Sequence, residues 1–198
     1  ELLESGLARP EDVKPFAGKI RTESGRMTKL VEDIIDLTRL DAGGEDYVFE
    51  SCDLLRIAEN AVDSLETEAS GADVTFSLKG VSAPMQGVPQ LLHSIVYNLC
   101  DNAIKYNRPG GRVDITVTPE DGAVVLTVSD TGVGIPKDSQ SRIFERFYRV
   151  DKSRSKAVGG TGLGLSIVKH AALIQKADVR VESEPGEGST FTVTFPEK

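Results

Sequence analysis

Residues 98–106 read NLCDNAIKY, the end of an apolar helical pattern that begins at Pro89 and buries Leu91, Leu92, Ile95, Val96, Leu99 and Ile104. Asn98, Asn102 and Lys105 fall at i, i+4 and i+7, on one side of that helix. A carboxamide inside an apolar helix is costly unless a partner uses it. Its oxygen is a hard, neutral ligand for Mg²⁺, an ion that keeps several waters and takes other ligands from phosphate oxygens. Lys105 can reach the same phosphates as a point charge. Taken alone, the stretch also fits helix capping and surface solvation.

Two glycine-marked segments follow. Residues 130–136, DTGVGIP, come directly after the strand-like VVLTVS. An acid at a strand end, followed by glycines spaced by one residue, lets a flat ligand lie against bare backbone. Asp130 could accept a hydrogen bond from an exocyclic amine such as that of adenine, although an ordinary turn capped by an aspartate has the same pattern. Residues 159–166, GGTGLGLS, open a helical stretch expected over 162–176. Successive backbone N–H groups at a helix start form a nest for an anion, with the macrodipole in support. No Lys-Ser or Lys-Thr follows, so this is not a Walker A loop, and neither segment fits GxGxxG.

Around these segments the pattern is mixed α/β. Strands are expected at 47–52, 74–78, 83–86, 112–118, 124–129, 179–183 and 190–195, with hairpin turns at PEDGA and PGEG. Helices are expected at 53–69, with Asp53 as N-cap, and at 89–106. A mixed or antiparallel sheet with helices on one face follows. Residues 11–41 differ: taking Val13 as an a position, the a/d series is Val13, Phe16, Ile20, Glu23, Met27, Leu30, Ile34 and Leu37, broken only by Glu23. Pro10 suits its first turn, Gly43-Gly44 its stop, and residues 1–7 the tail of a preceding helix. The whole reads as the stump of a helical hairpin in a chain cut from a longer protein. Another chain is expected to cover the stripe, the competing reading being packing against the same chain.

Composition narrows the function. The 198 residues carry 23 Lys and Arg against 31 Asp and Glu, a net charge of −8, which argues against nucleic acid as the main partner. Apolar runs are too short to span a bilayer, and neither a signal peptide nor membrane contact is expected within this stretch. Cys52 and Cys100 lack metal-ligand or disulfide spacing and read as reduced, cytosolic thiols.

The order of segments 98–106, 130–136, IFERFYR at 143–149 and GTGLGL at 160–165 resembles the N, G1, F and G2 boxes of sensor histidine kinases. PGEGSTFTVTFP from Pro185 is similar to the last box of that catalytic domain, and residues 1–42, with DLTRLDAG, to the second helix of the family's dimerisation and phosphotransfer hairpin. The resemblance implies a partial hairpin over 1–43 and an ATP-binding catalytic domain over 44–198. The implied fold is a two-layer α/β sandwich of the Bergerat type, a mixed sheet covered by three helices.

On this chain the resemblance makes Asn102 the Mg²⁺ ligand, assisted by Asn98, with Lys105 on phosphate; these three are the implied catalytic residues. Tyr106 would stack on adenine and Asp130 receive its amino group, with Gly132, Gly134 and Ile135 lining the base and Thr190 touching it through water. Gly162 and Gly164 would give N–H groups to the phosphates, with Gly160, Thr161, Leu163 and Leu165 among the ATP contacts. Residues 136–161 would be the ATP lid, whose Arg142, Arg146, Arg149, Lys152, Arg154 and Lys156 suit a polyphosphate, with Arg146 among the ATP contacts. Phe144, Phe147 and Tyr148 are expected to pack the lid on the core or the hairpin. ATP-hydrolysing relatives place a Glu where Asn98 stands. A neutral amide cannot take water's proton, which favours transfer to a side chain over hydrolysis.

One departure stands out: the family's acceptor histidine lies in an SHELRTP-like segment, and His93 and His170 both lack that context. The expected function is thus transfer of the γ-phosphate of ATP to a histidine outside this chain, for relay to an aspartate of a response regulator receiver domain. The implied setting is a homodimer joined through the hairpin, cytoplasmic, in a membrane-anchored parent. The competing readings are an ATP-responsive pseudokinase module and, against the hairpin helix and F box, an anti-sigma-type serine kinase.

Overall fold

The computed structural model describes residues 9–41, 47–151 and 160–196. The expectations for residues 1–8, Gly43-Gly44, Lys152, Arg154, Lys156 and Gly159 lie outside them. Helix α1 spans Pro10–Asp41. Then follow β1 (Glu50–Asp53), α2 (Leu54–Ser64), α3 (Glu66–Gly71), β2 (Val74–Gly80), β3 (Pro84–Gly87) and α4 (Pro89–Lys105). The chain continues through β4 (Gly111–Glu120), β5 (Ala123–Asp130), a short α5 (Lys137–Gln140), α6 (Gly164–Ile174), β6 (Asp178–Glu184) and β7 (Gly188–Pro196).

Five strands form one sheet in the order β2-β4-β5-β7-β6; β2 and β4 run parallel and every other neighbour antiparallel, so the sheet is mixed. Period-two alternation decides its faces. Val113, Ile115 and Val117, then Val124, Leu126 and Val128, then Phe191, Val193 and Phe195 all point under the helices, while their sequence neighbours are half-exposed or exposed. Helices α2, α4 and α6 cover that face in a two-layer sandwich, with α4 at its centre between the other two. Strands β1 and β3 form a separate antiparallel pair.

Two helix boundaries depart from the sequence expectation. The single helix expected over 53–69 breaks at Leu65. Ser64 Oγ donates to the Ala61 carbonyl at 2.7 Å, and the Leu65 N–H turns instead to Val62 at 2.9 Å, tightening the turn. The helix expected from Gly162 begins at Gly164, because Gly162 has φ +76°, outside the right-handed helical region. The first strand is also shorter than expected, since its partner β3 has four residues.

The a/d stripe of α1 is largely uncovered: Val13, Ile20, Met27 and Ile34 are exposed, and only its end packs on the domain. There Asp33, Leu37 and Leu40 are buried and Leu30 half-buried, along a strip that leans on α6 and α4. Packing against the same chain therefore accounts for the last turns of α1 and leaves the remainder open.

Candidate functional site

A cavity of about 310 Å³ opens between α4, the residues after β5, the glycine loop before α6 and the end of α1. Helix α4 supplies Asn98, Asn102 and Lys105, with Tyr106 as its C-cap; the β5 end supplies Asp130, followed by Gly134 and Ile135. The opposite wall is Gly160, Thr161, Gly162, Gly164 and Leu165. These twelve expected residues meet in one place.

The amides of α4 face the glycine loop at close range. Asn98 is 6% exposed, and its Nδ2 donates to the Ser94 carbonyl at 2.8 Å. A Cβ built on Gly164 would come within 2.8 Å of Asn98 Oδ1 and 3.6 Å of Asn102 Nδ2. Glycine there keeps the carboxamide face of α4 open to whatever lies in the cavity. Lys105 Nζ is held by Asp101 Oδ2 at 2.6 Å, one helical turn back.

Asp130 is fixed from behind. Its Oδ1 accepts from the Gly132 N–H at 2.7 Å, and Gly132 is buried where a side chain would overlap the Tyr106 carbonyl oxygen. Burial pushes the Asp130 carboxyl above its ordinary value, against the backbone N–H groups of Gly132 and Ser189 that favour its charged form. Gly134, at φ +69°, passes so close to the Glu184 carbonyl that no other residue fits.

Four expected contacts are placed elsewhere. Gly132 stands behind Asp130, and Leu163 is fully buried in the core. The Thr190 hydroxyl is bonded to Ser129 Oγ at 2.8 Å and is absent from the cavity wall, which its neighbours Ser189 and Phe191 line. Arg146 turns away: its Nη2 donates to Asp41 Oδ1 at 2.6 Å and lies 3.2 Å from His170 Nε2. Arg142 likewise pairs with Glu145 and lies over the Tyr148 ring at 4.4 Å. Phe144 and Tyr148 pack on the core as expected, but Phe147 does not. Its φ of +61° directs the N–H to the Gly162 carbonyl at 2.9 Å and leaves the ring exposed.

Of the lid cations among the described residues, Arg149 is the one that lines the cavity. Its Nε and Nη2 are buried and have no hydrogen-bond partner among the described residues. Buried guanidinium donors left unpaired are expensive, and a polyanion in the cavity would satisfy them. Among the described residues no group of three or more His, Cys, Asp or Glu could hold a metal. A divalent ion here could draw on the carboxamide oxygens of Asn98 and Asn102 and on the ligand's own oxygens. The donor set fits a magnesium-bound polyphosphate.

Wall residues that were not foreseen include three charged ones, Lys29 and Asp33 from α1, and Asp101. The approach of α1 to the pocket depends on tertiary packing, and its heptad pattern carries no sign of it.

Residues 87–198 match the family model described as "Histidine kinase-, DNA gyrase B-, and HSP90-like ATPase". The sensor-like histidine kinase SenX3 of Mycolicibacterium smegmatis is 38% identical over the whole chain, which covers 52% of that protein. The chain thus spans about half the length of the curated relatives it matches. The mycobacterial sensor histidine kinase MprB superposes with TM-score 0.66 at 30% identity, covering 75% of this chain and 97% of that one. Histidine kinase ThkA, solved with response regulator TrrA, gives TM-score 0.75 at 19% identity, covering 98% of this chain and 54% of that one, a likeness of fold alone.

Proposed function

The chain belongs to the histidine kinase-, DNA gyrase B- and HSP90-like ATPase family, as a sensor histidine kinase catalytic domain, and from that membership we propose that it binds Mg²⁺-ATP and donates the γ-phosphoryl group to a histidine of a dimerisation hairpin. The carrying observation is the convergence of Asn98, Asn102, Asp130 and the glycine loop on one cavity beside the unpaired Arg149 donors. Residues 1–43 would belong to the hairpin and 44–198 to the catalytic domain, consistent with α1 touching the rest through its last turns.

The roles follow from placement. Asp130 would accept from the adenine amino group and Tyr106 stack on the base. Asn102 Oδ1, assisted by Asn98, would hold Mg²⁺, which supplies charge neutralisation on the phosphates. Lys105 would share its charge between Asp101 and a phosphate oxygen. Arg149 and the N–H groups of 160–164 would take the remaining phosphate charge. Transfer joins an acceptor imidazole nitrogen to the γ-phosphorus as the bond to the β,γ-bridging oxygen breaks, and ADP leaves with that oxygen. Catalysis is then positioning and charge stabilisation.

Neither histidine here is offered as acceptor: His93 stacks on Tyr97, and His170 Nδ1 donates to the Ser166 carbonyl at 2.7 Å. The phosphoryl group would pass on to an aspartate of a response regulator, the partner class named for ThkA. Calorimetry with ATP and magnesium tests the reading. We expect Asn102→Ala to lose the magnesium-dependent part of binding with the fold intact, and Asn98→Glu to change turnover more than affinity. Magnesium-dependent binding that survives Asn102→Ala would remove the ligand role, and equal losses for Asn98→Glu would remove the distinction drawn from that position.

A further inference from the structure

Asp33 is a carboxylate from α1, 2% exposed, in the wall of the nucleotide cavity. An acid so buried needs its oxygens occupied. Lys29 Nζ lies 3.3 Å from Oδ1, and the Thr161 hydroxyl donates to Oδ2 at 2.6 Å. Burial acts to lower the Lys29 ammonium, but Asp33, Tyr97 and Asp101 outweigh it and hold the group raised and charged. Lys29 also lies 5.2 Å above the Tyr97 ring, which ties the pair to α4.

The hydroxyl held by Asp33 has a second task. Thr161 Oγ1 accepts from the Leu163 N–H at 3.3 Å, and Leu163 is the N-cap of α6, with no cap bond from its own side chain. Gly162 between them, at φ +76°, adds no rigidity of its own. A relay therefore runs from α1 through a hydroxyl to the backbone that carries the glycine loop past Asn98.

We propose that Asp33 is a positioning residue for the nucleotide: by holding Thr161 it sets the glycine loop against α4 in the geometry that accepts phosphates, so that the seating of α1 is read out as nucleotide affinity. This rests on the Mg²⁺-ATP reading above. Reciprocity then requires bound nucleotide to strengthen the seating of α1 by the same factor.

The test is a double-substitution cycle on the whole chain, with affinity for ATP and magnesium measured by calorimetry. Asp33→Ala and Thr161→Val should each weaken binding about fivefold, and the double variant no further. Asp33→Asn, which keeps an acceptor for the hydroxyl, should return affinity to within about twofold of the unaltered chain. Hydrogen exchange at the Leu163 amide should quicken in both single variants. Thr161→Val leaves the charge of α1 untouched, so it reports even if Asp33→Ala unseats the helix. Multiplying losses in the double variant, or failure of Asp33→Asn to rescue, would overturn the proposal. So would tighter binding by Asp33→Ala, which would mean that the acid repels the phosphates. An unaltered chain that takes up no ATP would remove the nucleotide reading itself, whereas normal uptake matched by Asp33→Ala would remove only the role of Asp33.

Discussion

Asp130 is held by burial above the ordinary carboxylate range, and that shift has two consequences of opposite sign. The folded chain keeps this proton more tightly than the unfolded one. Its protonated form thus stabilises the fold below the ordinary range, and that stability is lost as pH rises through the raised value. Only the charged form presents both oxygens to an amino group, so affinity for adenine should rise over the same interval. We expect Asp130→Asn to flatten the stability slope in chemical denaturation across acid to neutral pH, and to weaken ATP about tenfold while weakening GTP less. An unchanged ATP-to-GTP ratio would refute base recognition by this acid. Asp130 was legible in the sequence because a strand end and two spaced glycines lie together in the chain. Arg146 was not, because its partner Asp41 lies on α1 and only the fold brings them together.

Among the elements, α2 rests on an acid that joins two turns. Asp53 Oδ1 accepts from the Leu55 and Ala83 N–H groups at 3.0 Å each, and Oδ2 accepts from Ser82 Oγ at 2.7 Å. Burial alone would raise this carboxyl, but the bonds from Ala83, Ser82, Leu55 and Arg56 outweigh it and hold the group below its usual value. Its stabilisation is therefore present above the unfolded-state carboxylate range and lost as pH falls through the depressed value. Asp53→Ala should cost about 1–2 kcal/mol at neutral pH, measured by denaturant unfolding, and the difference should shrink in acid. A gap constant with pH would count against the charge. The cap was legible from the sequence, since Asp precedes an apolar period. The break at Leu65 was not, because it turns on the Ser64 hydroxyl donating to the Ala61 carbonyl one turn back. The start of α6 was misplaced for a related reason: a glycine that permits a helix also permits the positive φ that ends one.

At the scale of the molecule, the open stripe on α1 carries the expectation of a dimer. Val13, Ile20, Met27 and Val31 are exposed on a helix whose last turns alone are packed. A double substitution, Ile20→Glu with Met27→Glu, should shift sedimentation toward the monomer without lowering the unfolding midpoint of the α/β part. A sedimentation coefficient that does not change would mean that the stripe pairs with nothing in solution. The sandwich covered by three helices came with the family resemblance, while strands and helices were readable from period two and period 3.6 in turn, with helices expected on one face. The parallel pairing of β2 with β4 was not, because it joins strands separated by β3 and α4, and local pattern says nothing about such crossovers. The pairing of β5 with β7 sets Asp130 opposite Ser189, so the acid proposed to receive the base is braced by a strand made long after it. During translation the segment bearing the acid is made before its brace. On the proposed reading, a nascent domain in that condition should gain nucleotide only after β7, Gly188–Pro196, has paired with β5.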